Sequence, residues 1–474
     1  MSGLEAVEAE FSILNEERRI DAQYFKKKYL KEDSRRRHYV SVTLGSQTFI
    51  TDGPHGYHVV DEKSSIAMLT AKCAKNWFAS KTEADRIAAE THNANLRSSL
   101  EKDDLILSTR GTVGLCALVE EKLLPSNIDQ DVARISIKKD SCFQPKFLLA
   151  YINSYLGQDW IARNLTGMVQ QGLSLEKVRN LPIPTLSDTF QSCIANIIDV
   201  AIVFRNTAEQ KLRDAETTLL RALGIENWQA PESLSYVRDS RDVFAAERLD
   251  AEHYQPKFDE VLLKVRQTET NLIPLGKIIR PIKNGFDARD FVEDGTPYIR
   301  VGDIKDCDIC LESAAKVAMT SEEINKNITL AVGDVLFTRK GTFGNAAPVF
   351  AEHTSAIISS EIMLLRLDHA WQGKILPEFL ALFFNSLFGK MQAEKWAHGV
   401  AFYSVAQDDL QRFLVPVIDL EKQVEIERLF HAHKQKNTEA FRLLESAKRA
   451  VEIAIEESEA SAEKWLREVN ARVE

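Results

Sequence analysis

A chain of 474 residues exceeds what one ordinary core organises, so two domains of roughly 150 to 200 residues with connecting helices are expected. Hydrophobic residues at 44% and charged residues at 27% match a soluble globular protein; no apolar run reaches the ~18 residues of a membrane span, and the acidic, mixed start from Met1 to Phe11 lacks a signal-peptide layout. A cytoplasmic protein is expected, and the formal charge of −10 argues mildly against nucleic acid unless the acidic surface lies away from a basic face.

The densest basic stretch comes early, Lys26-Lys27-Lys28-Tyr29-Leu30-Lys31 followed by Arg35-Arg36-Arg37-His38, and suits either a solvated helix face or phosphate contact. Just before it, Arg19-Ile-Asp21-Ala-Gln-Tyr-Phe25 answers to Arg248-Leu-Asp250-Ala-Glu-His-Tyr254. That match opens a tandem repeat of whole-domain period. Asp104-Leu-Ile-Leu-Ser-Thr-Arg-Gly111-Thr112-Val-Gly114 answers to Asp334-Val-Leu-Phe-Thr-Arg-Lys-Gly341-Thr342-Phe-Gly344 at a spacing of 230 residues. Pro145 to Ser154 then answers to Pro377 to Ser386, Gly167 to Gly399, Leu181-Pro-Ile-Pro184 to Phe413-Leu-Val-Pro416, and Gln191 to Gln423, all at 232.

Within each copy, Leu105-Ile-Leu107 and Val132 to Ile137 predict strands separated by glycine-containing turns, and Pro145 to Tyr155 predicts a short helix. Two prolines in Leu181-Pro-Ile-Pro184 punctuate the unit. From Gln191 to Leu223 a seven-residue period follows: Ile198, Arg205, Leu212, Leu219 form one row and Ala201, Ala208, Ala215, Ala222 the other. The second copy supplies Phe430, Asn437, Leu444, Val451 and His433, Ala440, Ala447, Ala454. Such a seam with alanine at every second position predicts two closely packed helices, antiparallel if each returns the chain to a globular unit, with Arg205 and Asn437 as polar positions able to fix register. About 33 residues at ~1.5 Å each give on the order of 50 Å. The fold expected is mixed α+β: a globular unit over 1–187, a central long helix over 188–224, a linker over 225–247, a second globular unit over 248–418 and a distal long helix over 419–474.

This layout resembles the specificity subunits of Type I restriction-modification systems. Gly333-Asp-Val-Leu-Phe-Thr-Arg-Lys-Gly-Thr-Phe-Gly344 looks like that family's recurring strand and turn, Asp294-Gly-Thr-Pro-Tyr-Ile-Arg-Val-Gly-Asp-Ile304 like an earlier strand region, and Phe413 to Gln423 like the entry into its helix. The first copy departs from it in the polar, alanine-rich stretch from Lys75 to Leu100. The resemblance implies two target-recognition domains, each for one half of a split target in double-stranded DNA, and helices that set the gap and dock two modification subunits. It implies S-adenosylmethionine, ATP and Mg for the partner subunits, restriction and translocase subunits among them, and no cofactor or catalytic centre on this chain.

Ser108, Thr109, Arg110 and Thr112, with Thr338, Arg339, Lys340 and Thr342, combine cationic and hydroxyl donors with glycines, which suits phosphate positioning or a structural turn. Base reading is expected where the copies differ: His55 and Tyr57 against Lys283, Asn284 and Arg289, with Gln170, Gln171 and Tyr403 in two further glycine-containing loops. Cys307-Asp-Ile-Cys310 has metal or redox spacing but no second ligand pair, so no metal site is expected. Two other functions compete: a non-catalytic scaffold of another phage-defence complex, and a metal-dependent nuclease using Asp294, Asp303 and Lys305.

Overall fold

The computed structural model describes residues 7–8, 21–22, 24–36, 39–56, 58–167, 171–231, 235–246, 248–312, 314–319, 328–399 and 403–471. The chain divides into two compact units, Met1–Phe204 with Thr438–Glu474 and Arg205–Asn437. The division falls inside both long helices, Asp188–Ala222 and Leu420–Glu456, so each unit owns part of each.

In the first unit a five-stranded sheet has the order Thr48–Asp52, Val132–Ile137, Leu105–Ser108, Cys116–Leu118, Trp77–Phe78. A three-stranded sheet of Asp85–Arg86, Ala67–Leu69 and Ser126–Ile128 completes it. The second unit repeats the plan: Lys283–Asn284, Ile362–Leu365, Val335–Thr338 and Ala346–Pro348 form one sheet, and Phe291–Val292, Ala315–Val317, Thr296–Ile299 and Ile357–Ile358 the other. The proline-marked segments close each unit as small antiparallel ribbons, Ser41–Thr43 with Pro182–Pro184 and Asn271–Pro274 with Leu414–Val417. Proline is tolerated there because each ribbon has only two strands.

The stretch over 75–100 is part of the first unit's core. Trp77, almost fully buried, adds an edge strand parallel to Cys116–Leu118, while His92 and Ser98 meet the side chain of Asn127 at 2.6 and 3.0 Å. The second unit places a tight hairpin, Ile304–Lys305 with Asp308–Ile309, against the corresponding strand. Its turn residues Asp306 and Cys307 both have positive φ, 49° and 63°, the geometry of a two-residue primed turn. The Cys-x-x-Cys spacing is therefore that of a hairpin: Cys307 is buried, its thiol pushed up by desolvation, and the exposed Cys310 turns toward Glu312.

Matching polar anchors recur in both units. Asp104 accepts the Glu101 N–H (2.7 Å) and the Arg134 guanidinium (2.7 Å), and also bonds Ser136; Asp334 accepts the Ala331 N–H (2.7 Å) and a bidentate Arg366 (2.6 Å). Gln191 receives the Gln144 N–H and donates to the carbonyls of Cys142 and Leu186, at 3.0 to 3.1 Å. Gln423 does the same with Leu376, Lys374 and Ile418, at 2.9 to 3.0 Å. Each glutamine is buried and satisfies three backbone groups that would otherwise be left unpaired, which ties a long helix to its globular unit.

The helix seam is buried where small or apolar residues stand. Ile198 and Ala201 share the first unit's core with Leu444, Ala447, Val451 and Ala454; Ala215 and Leu219 share the second unit's core with Phe430. Ala208 and Ala440 are buried as well, and Leu212 is half-buried. In each unit the helices run antiparallel, with Ser187 beside Glu459 in the first and Ala208 beside His433 in the second. The polar register pair does not form as expected. Asn437 is exposed, and Arg205, whose side chain is mostly buried, lies beside Glu209 (3.4 Å) and Asn206 (3.0 Å) on its own helix. The distal helix is also not continuous, because it ends at Glu456 and a second helix runs from Glu459 to Ala471.

Candidate nucleic-acid interface

In the first unit, Thr48–Asp52 and Leu105–Ser108 both run antiparallel to Val132–Ile137, so the segments after Asp52 and Ser108 and before Val132 emerge at one end of the sheet. The backbone N–H groups of Thr109 and Arg110 donate to the carbonyl of Asp131, at 2.8 and 3.3 Å, and that of Gly53 donates to Asp129 at 3.0 Å. A fourth segment joins them: Thr166 and Gly172 bond each other in both directions, closing a loop, and Leu173 N–H donates to Thr109 at 2.9 Å. Four stretches far apart in sequence thus meet at one edge.

The second unit repeats three of these links, while the N–H of Gly285, the counterpart of Gly53, donates instead to Ile362 at 3.3 Å. Arg339 N–H donates to Glu361 (2.9 Å), His398 and Ser404 close the matching loop in both directions (2.8 Å), and Val405 N–H donates to Arg339 (2.9 Å). Gly53 and Gly285 occupy equivalent places. A Cβ on either would lie 1.8 or 1.9 Å from a backbone oxygen, that of Ile128 or Ile358, so only glycine allows this approach. Beyond these shared glycines the copies diverge, into Pro54-His55 and into Phe286-Asp287.

Several of the proposed contacts are placed differently from what the sequence suggests. Ser108 and Thr338 are fully buried, and their hydroxyls are spent inside the turn: Ser108 donates to Thr112 O (2.6 Å) and accepts from Leu115 N–H (2.9 Å), and Thr338 does the same with Thr342 (2.8 Å) and Asn345 (2.9 Å). Thr109 is buried too, which leaves Arg110, Thr112, Lys340 and Thr342 exposed on the turn and Arg339 half-buried. Arg110 lies 3.4 Å from Asp131 and Lys340 lies 3.9 Å from Glu361, the same cation–acid pair in each copy.

His55 is exposed and rests 3.3 Å from Asp52; Gln171 is exposed on the closed loop. Lys283 and Arg289 are exposed, Asn284 accepts a hydrogen bond from Gln407 (2.9 Å), and Tyr403 lies 6.2 Å from the Phe343 ring of the turn. Tyr57 and Gln170 lie outside the described residues, as do Arg37 and His38 of the basic stretch. Within that stretch Lys28 pairs with Asp159 at 2.8 Å.

Sequence reasoning missed Arg97, which is exposed and reaches Asp52 at 3.3 Å, and Asp129, whose carboxyl burial pushes up to about 6. The nuclease arrangement is not assembled. Asp303 is buried and accepts the Arg300 N–H (2.8 Å), while Asp294 stands fully in solvent 3.7 Å from Lys316. Arg248, of the repeated Arg-x-Asp-Ala stretch, is also committed: it pairs with Asp250, donates to Ala397 O (2.9 Å) and sits 3.1 Å from His398, bracing the base of the closed loop.

Residues 277–445 match the family model for the Type I restriction modification DNA specificity domain. A curated relative, the Type I restriction enzyme EcoBI specificity subunit of Escherichia coli, is 22% identical over 329 residues, which cover 69% of this chain and 65% of that protein. Among solved structures, the S subunit of a Type I system from M. genitalium aligns at 13% identity and a TM-score of 0.39, over 88% of this chain and 95% of that one. The HsdS subunit of Thermoanaerobacter tengcongensis aligns at 15% identity and a TM-score of 0.28, over 89% and 97%. No helix among the described residues is long and apolar enough to cross a membrane.

Proposed function

We propose that this chain is a specificity subunit of a Type I restriction-modification system and that it recognises double-stranded DNA, each unit engaging one half of a split target. The observation that carries the proposal is the repeated edge: in both units a cation, a threonine hydroxyl and a glycine turn stand beside a segment in which the copies differ. The shared parts suit phosphate positioning, because they carry no difference between half-sites. The divergent residues, His55 and Gln171 against Lys283, Asn284, Arg289 and Tyr403, suit the base edges.

The long helices, on the order of 50 Å each, would set the gap between half-sites and dock two modification subunits. Those partners would bring S-adenosylmethionine for methylation, and restriction or translocase subunits would bring ATP and Mg. This chain would work in the cytoplasm without catalytic chemistry of its own. A negative formal charge suits a protein much of whose surface meets other subunits.

Methylation mapping of a host genome with and without this chain tests the proposal, and exchange of residues 40–180 for another reader tests its assignment of halves. A split motif should vanish with the gene, and the exchange should alter one half only. Change in both halves, or in neither, contradicts the assignment; a scaffold with no DNA role would leave methylation untouched.

A further inference from the structure

Glu378 stands in the first turn of the buried helix Pro377–Asn385, and Glu427 and His431 lie one turn apart on the long helix Leu420–Glu456, all within the second unit. One carboxylate oxygen from each glutamate and one imidazole nitrogen of His431 lie within 4.8 Å of one another. Glu378 is only 7% exposed. Among the described residues, the ion-pair partner of its carboxylate is His431, whose Nε2 lies 3.4 Å away.

The first unit shows what an ordinary brace looks like at this place. At the positions of Glu378 and His431 it has Lys146 and Asp199, which close an ion pair of 2.5 Å, and at the position of Glu427 it has Ala195. The second copy has exchanged the permanent cation for a carboxylate and the carboxylate for an imidazole, and has added a second carboxylate. Two carboxylates and one imidazole are a cation-binding donor set, whereas a protonated His431 would balance only one of the two charges.

We propose that Glu378, Glu427 and His431 bind a first-row divalent transition ion, zinc in the first instance, which fastens the short helix to the long helix in the second unit. Glutamate and histidine four residues apart share one helix face. Bonds of about 2.0 to 2.2 Å require the three donors to close from their present spread, and the half-exposed His431 ring and the partly exposed Glu427 have the freedom to do so against a fixed Glu378. A fourth position is left to water.

The full-length chain, stripped with chelator and titrated at pH 7.5 with Co2+ by visible absorbance and with Zn2+ by calorimetry, tests this. About one equivalent should bind without a sulfur charge-transfer band, and Zn2+ should raise the thermal midpoint. Glu427→Gln with His431→Gln should weaken binding by about a hundredfold or more. Glu378→Lys with His431→Asp transplants the first unit's brace, and should keep the fold while abolishing the metal response. No binding at about 1 mM ion, unchanged binding in either double variant, or a thiolate band pointing to cysteine ligation would overturn the proposal.

Discussion

His433 Nδ1 lies 2.8 Å from the backbone carbonyl of Ala208, so one long helix donates a side-chain hydrogen bond into the backbone of the other within the second unit. The other ring nitrogen, Nε2, is buried and has no hydrogen-bond partner among the described residues. The repeat-equivalent positions, Ala201 and Ala440, are both alanine and both buried. The histidine thus fills volume that two alanines leave closed in the other copy. His433→Ala should destabilise by about 1 to 3 kcal/mol through the lost bond and the cavity. Hydrogen exchange should speed up over residues 205–222 and 420–437; unaltered exchange there would mean that the contact contributes nothing.

Gly285 and Gly302 make a paired test of the glycine at the candidate interface. A Cβ at Gly285 would fall 1.9 Å from Ile358 O and 2.5 Å from Ser359 O, both rigid backbone atoms, whereas a Cβ at Gly302 would meet nothing within 4 Å. Gly285→Ala is expected to lower stability by about 3 kcal/mol or more, and Gly302→Ala to stay within about 0.5 kcal/mol. Thermal melts of the two variants should differ accordingly. Equal midpoints would show that the segment shifts to accept a side chain.

The parts of this molecule that could be read from sequence are those where one residue type has one structural use. The matched pairs Asp104 and Asp334, Pro145 and Pro377, and Gln191 and Gln423 occupy equivalent places because a buried acid, a helix-opening proline and a backbone-bridging amide each solve the same local problem twice. Pairings set by tertiary approach were not legible. Arg97 meets Asp52 and Arg110 meets Asp131 across 45 and 21 residues, distances at which no periodicity carries information. Ser108 and Thr338 looked like surface donors because a hydroxyl beside Gly-Thr serves a turn and a phosphate equally well. Asn437 fell on the seam by counting sevens, but a helix of 3.6 residues per turn drifts by about 20° per heptad, and the amide keeps its hydrogen bonds in water.

Asp131 and Glu361 hold the turn cations Arg110 and Lys340 in exposed pairs, at 3.4 and 3.9 Å. If the two cations meet phosphate as proposed, the acids beside them oppose binding and restrain non-specific association until the duplex displaces them. Asp131→Asn and Glu361→Gln should each tighten binding to random duplex by roughly two- to fivefold, the scale of an exposed ion pair. The dependence of log K on log salt should steepen by up to about 0.9 for each freed cation. Arg110→Ala and Lys340→Ala should move both quantities the opposite way. Duplex titrations at several salt concentrations decide it, and an acid-to-amide change that left affinity and slope alone would remove these turns from the interface.

Asp129 supplies a pH-dependent term at the same edge. Desolvation pushes its carboxyl up to about 6, with the charge of Asp131 adding to the rise, while the Asp131 N–H bond (3.0 Å) and His58 oppose it. An unfolded aspartate titrates near ~3.9, so the folded state holds this proton more tightly. The sign follows: the contribution to stability is fully present below about pH 4, declines as pH rises through about 6, and is absent or unfavourable above it. Asp129→Asn keeps an acceptor for the Asp131 N–H and removes the charge. Relative to wild type it should gain on the order of 1 kcal/mol at pH 7.5, discounted for solvent screening, about half of that at pH 5, and little at pH 4. Duplex affinity of the wild type should likewise rise below about pH 6 more than that of the variant, since a protonated Asp129 no longer repels phosphate. A variant-minus-wild-type melting difference that is the same at pH 4 and pH 7.5 would show that Asp129 does not carry the raised affinity for a proton.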